Sequence, residues 1–113
     1  MEYPLNVKLL KDGVDKPIIT ALFSQPEAES SDLCASKNHN NPCFTEVNVT
    51  GNNVFWWCGL LASKCEYNRG EVAGTRFSIS WTWAIFFIHW GNYTCIVEQN
   101  AMASNASISV YGI

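Results

Sequence analysis

The chain has 113 residues, of which 48% are hydrophobic and 13% aromatic, and it carries a formal net charge of −3. That length suits one domain with its own core, and that composition excludes a disordered chain. The small negative charge gives no electrostatic reason to expect a nucleic acid or an anionic membrane as partner.

Short runs alternate apolar and polar residues with period two, and no apolar stripe of helical period competes with them. The expected fold class is therefore all-β. "PLNVKLL" (Pro4 to Leu10) is a candidate first strand, stopped by Asp12-Gly13, a pair suited to a tight turn. "PIITALF" (Pro17 to Phe23) is a second, rich in β-branched residues. From Ser24 to Pro42 the chain turns polar and loses its periodicity, which predicts an exposed loop carrying Cys34. Alternation resumes with Cys43, Thr45, Val47 and Val49 on one face and Phe44, Glu46 and Asn48 on the other, until Gly51-Asn52-Asn53 turns the chain.

"VFWWCGLL" (Val54 to Leu61) is the next strand, followed by a short "CEY" and a turn at Asn68 to Gly70. "RFSISWTWAIF" sets Phe77, Ile79, Trp81, Trp83 and Ile85 against Ser78, Ser80, Thr82 and Ala84. "YTCIVE" (Tyr93 to Glu98) and "NASISVYG" (Asn105 to Gly112) read as a closing hairpin around "QNAMA". About eight strands with turn signals between them form the pattern of a two-sheet antiparallel β-sandwich. The most apolar run, "WAIFFIHW" (Trp83 to Trp90), falls far short of the ~20 residues of a membrane helix, so no direct membrane insertion of this domain is expected. The N-terminus lacks the charged start and apolar run of a signal peptide. Met1 thus reads as an expression start or a processing boundary, and any anchor is expected beyond Ile113.

Five cysteines without a CxxC pair or a Cys/His cluster fit disulfides better than zinc, and they predict an oxidising compartment. Three Asn-x-Ser/Thr sequons, at Asn48, Asn92 and Asn105, point the same way. With Tyr93 and Cys95 inward, alternation turns Asn92 to solvent, and with Val47 inward it does the same for Asn48. All three are candidate glycosylation sites.

Gly91-Asn92-Tyr93-Thr94-Cys95 resembles the strand F signature of the immunoglobulin superfamily, Asp-x-Gly-x-Tyr-x-Cys. Cys43 and, 14 residues later, Trp57 complete the order Cys, Trp, Tyr-x-Cys. The resemblance covers about Cys43 to Gly112 and implies an immunoglobulin-like sandwich with a Cys43–Cys95 bond between strands B and F and with strand C, which carries Trp57, in one sheet with strands F and G. "FWWCGLLASKC" is similar to the segment that carries an extra bond between strands C and C′ in the polymeric immunoglobulin receptor and the myeloid triggering and inhibitory receptors. That likeness implies a Cys58–Cys65 bond. Alternation agrees with it if Phe55 and Trp57 face inward while Trp56 and Cys58 face outward. Two positions depart from the family pattern: His89 stands where the signature has aspartate, so its usual salt bridge to an arginine such as Arg76 is lost, and "SKNHNN" before Cys43 does not alternate. A bond between Cys34 and Cys43 is the competing arrangement. In the two-bridge scheme Cys34 is free, joined to a second chain in a dimer, or paired outside this sequence.

The expected function is that of an extracellular recognition module, residues 1–113 forming one domain of a longer protein. It is read as part of a cell-surface immune-type receptor that binds a protein ligand through loops at one end. The turn from Glu98 to Ala103 supplies the candidate binding residues Gln99, Asn100 and Met102. Phe86, Ile88 and Trp90 are candidates for an exposed apolar patch beside the aromatic core. The alternatives are a viral or parasite immunoglobulin-like glycoprotein that intercepts host immune proteins and a self-associating adhesion module. His39 and His89 have no acidic neighbour at motif spacing, and no nucleophile, acid and base constellation is visible, so neither enzyme activity, a metal nor a cofactor is expected.

Overall fold

The computed structural model describes residues 4–24, 28–33, 46–58, 61–68, 74–80 and 90–111. Cys34, Cys43, Phe86, Ile88 and both histidines lie outside them. The described residues form nine strands: β1 (Leu5–Lys11), β2 (Ile19–Phe23), β3 (Ala28–Leu33), β4 (Glu46–Thr50), β5 (Asn53–Cys58), β6 (Leu61–Asn68), β7 (Gly74–Ser80), β8 (Gly91–Gln99) and β9 (Met102–Val110). They make two antiparallel sheets, a five-stranded one ordered β3-β2-β1-β8-β9 and a four-stranded one ordered β4-β5-β6-β7. The fold class is thus an all-β, two-sheet sandwich, as the alternation predicts and as an immunoglobulin-like architecture requires.

The inner rows follow from period two. In β1, Leu5, Val7 and Leu9 are buried and stand opposite Phe23, Ala21 and Ile19 of β2 on one side. On the other side Val7 and Leu9 face Val97 and Cys95 of β8. A residue of alternate parity would leave this face, so one register satisfies all three strands. The turn after β1 uses Gly13 at φ +81°, a conformation that a side chain resists, and Val14 N–H donates to Lys11 O at 3.2 Å. The second sheet offers Val54 and Trp56 of β5, Ser63, Cys65 and Tyr67 of β6, and the half-buried Phe77 and Ile79 of β7. Trp56 meets Phe77 edge-on, with centroids 6.0 Å apart and planes at 85°. The edge strands β7 and β9 approach each other, and Thr75 Oγ1 donates to Ser104 Oγ at 2.8 Å.

Four expectations need correction. The disulfide is Cys65–Cys95, with Cα atoms 6.3 Å apart, so neither Cys43–Cys95 nor Cys58–Cys65 forms. Both bonded residues sit on inward positions of strands that are internal to their sheets, which places them face to face across the core. Cys58 pairs in register with Leu61, whereas Cys65 stands opposite Val54. Four residues along a strand is about 13 Å, beyond the ~7 Å limit for a disulfide.

The parity of β5 is the second correction: Trp56 is 1% exposed and Trp57 52%. Two residues, Gly51 and Asn52, join β4 and β5, so Val49 opposes Val54 and Val47 opposes Trp56. The third concerns neighbours. β8 lies between β1 and β9, not beside the strand with Trp57, as the resemblance implies for strands C and F. The fourth is β3, which lies within the stretch read as a loop and pairs with β2 through a register shift at Leu22/Phe23. Its polar sequence suits a sheet edge, where pairing with β2 satisfies backbone groups that would otherwise face water unpaired.

Candidate interaction surface

The β8–β9 hairpin closes through Asn100 and Ala101, with Asn100 at φ +53°, a left-handed conformation that asparagine tolerates. The stretch from Glu98 to Ala103 is therefore mostly strand. Gln99 is only 2% exposed and sits on the inner face, so it is no surface-binding residue, whereas Asn100, Ala101 and Ala103 are exposed and Met102 is 42% exposed.

The same end of the first sheet carries a row that sequence reasoning did not assemble. In register across four strands lie Leu22, Asn6, Glu98 and Ala103, all on the outer face. Three strand spacings make that row about 14 Å long. Leu22 is 39% exposed at one end of it and Ala103 is exposed at the other, whereas Met102 stands opposite Gln99 and so belongs to the inner side of the hairpin. Between Leu22 and Ala103, Lys8 Nζ and Glu98 Oε1 form an ion pair at 2.8 Å, with both side chains partly exposed. An apolar group at each end and a charged pair in the middle give this lip the composition of a small protein-contact patch.

The opposite end holds Trp90, exposed and edge-on to Tyr111 with centroids 6.1 Å apart. Trp90 precedes β8 and Met102 follows it, so the length of a nine-residue strand, roughly 30 Å, separates these two candidates. They cannot belong to one compact site. Beside Trp90, Gly91 adopts φ +145°, and a Cβ there would come within 3.0 Å of Lys11 Cε. The Lys11 stem fills this space, and its Nζ stands 5.7 Å from the centroid of Tyr93. Burial lowers the Lys11 pKa from the ordinary 10.5.

The three sequons differ in setting. Asn92 Nδ2 donates to Asp12 Oδ2 at 3.0 Å, its Oδ1 accepts a bond from Ser109 Oγ, and the Thr94 hydroxyl bonds that of Ser107 at 2.8 Å. Asn105 is exposed on the edge strand β9, opposite Ile96. Asn48 and Thr50 are exposed on the outer face of the second sheet, where Phe55 stands opposite Asn48 and Trp57 follows two residues on. A shallow depression of about 440 Å³ lies there, lined by the Asn48, Thr50, Phe55, Trp57 and Ala62 positions among others. Sequence reasoning placed Trp57 in the core and so missed this face. A two-residue turn at Gly51-Asn52 was the signal that sets its parity.

Among the described residues no three His, Cys, Asp or Glu side chains are grouped so as to hold a metal ion, and no helix is long and apolar enough to cross a membrane. Comparison of the chain with protein-family models, with curated proteins and with solved structures finds no match.

Proposed function

We propose that this domain is an extracellular recognition module of a cell-surface immune-type receptor, and that it binds a protein ligand through the hairpin end of the first sheet. The observation that carries this proposal is the lip itself. Leu22 and Ala103, both exposed on the outer face, flank the Lys8–Glu98 pair on strands that the core holds in fixed register. Apolar anchors surrounded by polar groups on rigid strands are what a protein partner can bury without ordering the site first. A disulfide buried between the sheets and the three sequons support an oxidising, extracellular setting.

The mechanism is non-covalent. The ligand covers Leu22 and Ala103, and the Lys8–Glu98 pair steers its approach and fixes its orientation. Tetramers of the secreted domain, applied to cells displaying candidate surface proteins, test it. Binding to an identified partner is expected to fall at least about tenfold in Leu22→Asp and in Ala103→Asp. Ser107→Asp, on the same outer face but about 13 Å along β9 from Ala103, is expected to bind like the parent. Equal binding by all three variants would move the site elsewhere.

A further inference from the structure

We propose that Asn48 carries an N-linked glycan whose first sugars lie on Phe55 and Trp57, so that the outer face of the second sheet is a glycan seat and not a ligand face. The inference rests on the extracellular reading above, because only the secretory route exposes the chain to glycosylation.

Four observations converge on this face. Asn48 and Thr50, the two residues a sequon needs, project from the same side of β4 and are both exposed. Phe55 is the direct cross-strand partner of Asn48, and residues directly opposed on one face have Cβ atoms about 5 Å apart. Trp57 lies in the next outward position of β5, and its 52% exposure is high for so large an apolar side chain. The depression they border, about 440 Å³, falls within the roughly 300–1,000 Å³ of small-molecule sites.

The chemistry is a group transfer. Asn48 Nδ2 forms a bond to the anomeric carbon of an oligosaccharide carried on a lipid diphosphate. The bond from that carbon to the diphosphate oxygen breaks, the diphosphate leaves with the electron pair, and one amide proton passes to solvent. The sugar ring then offers its C–H face to the flat π-faces of Phe55 and Trp57, which shields both from water. The other sequons lack this platform. Asn92 stands opposite Ser109 and Asn105 opposite Ile96, neither of them aromatic.

The test uses the chain secreted from a eukaryotic host, with occupancy at each sequon read by glycopeptide mass spectrometry. Thermal melting compares the glycosylated protein with Asn48→Gln, in the parent and in Trp57→Ala. Asn48 is expected to be occupied, and the glycosylated parent to melt about 4 °C above Asn48→Gln, the size of shift that one stacked aromatic face produces in a domain of this length. In Trp57→Ala the gap is expected to shrink at least twofold, and the indole protons of Trp57 in the parent are expected to show nuclear Overhauser contacts to the first sugar. An equal gap in both backgrounds, or no contacts to the indole, overturns the seat and leaves the extracellular reading standing. Empty Asn48 with Asn105 occupied overturns the seat in the same way. Failure of all three sequons to carry sugar defeats both.

Discussion

Removal of the Cys65–Cys95 bond has a magnitude that follows from the chain itself. The two residues are 30 apart in sequence. Closing a loop of that size removes unfolded-state entropy worth ~3.5 kcal/mol at 25 °C in the chain-entropy description. The total stability of a domain is only about 5–15 kcal/mol, so Cys65→Ala/Cys95→Ala is expected to remain folded but with a large part of its margin gone. Urea denaturation followed by tryptophan fluorescence reads this directly. With a slope of about 1–3 kcal/mol per molar, the midpoint is expected to fall by about 2 M. Cys58→Ser supplies the control, because the mapped Cys65–Cys95 bond is expected to survive it. An unchanged midpoint in the double variant, or peptide mapping that joins Cys65 to Cys58, would refute the cross-sheet bond and the strand order built on it.

Trp56→Ala is expected to cost about 3–5 kcal/mol and Trp57→Ala, measured on protein without glycan, less than about 1 kcal/mol; equal losses in thermal melting would restore the opposite parity of β5. Burial depresses the Lys11 pKa, so the folded state pays for the charged form below that depressed value and is relieved as pH rises toward 10.5. Lys11→Met is accordingly expected to gain stability relative to the parent near neutral pH, and the gain to narrow between the depressed value and 10.5 in a series of urea titrations. A gap that is flat across that window contradicts the burial argument. Asn92→Ala breaks the bonds to Asp12 and Ser109 and is expected to lower stability by about 1–2 kcal/mol, readable as a drop in melting temperature.

What the sequence made legible was what is local. The strands β1 and β2, the inward Tyr93 and Cys95 of β8, the outward Asn48, and the alternation of Phe77 and Ile79 with Ser78 and Ser80 were all readable from short windows, and the structure bears them out. The face of β5 needed one more fact, the length of the turn before it. A three-residue reading of Gly51-Asn52-Asn53 leaves the parity open, whereas the observed pairing of Thr50 with Asn53 determines it. β3 was hidden because its sequence is polar and its reason for being a strand is the unpaired edge of β2, a neighbour that no local window contains. The disulfide was hidden for the same physical reason. Several cysteine pairings were open, and the one that forms depends on which strands become internal to facing sheets. The lip was half legible: the turn from Glu98 to Ala103 was marked in the sequence, but Leu22 and Asn6 join it only through long-range register.

The division of the strands between the sheets sets a timetable for synthesis. β4 to β7 form an uninterrupted meander over residues 46–80, each strand pairing with the one just made. Such contacts close quickly as the chain emerges. β1 differs, since its second edge waits for β8, and Lys11 does not meet Tyr93 until more than eighty residues have followed. Translation at about 5–20 residues per second makes that wait several seconds. Throughout it the backbone groups along one side of β1 lack their partners in β8, an open strand edge inviting holdase protection or mispairing with a neighbouring nascent chain. Arrival of the C-terminal hairpin ends that exposure, so a ribosome stalled just before β8 would be the moment at which this domain is most vulnerable.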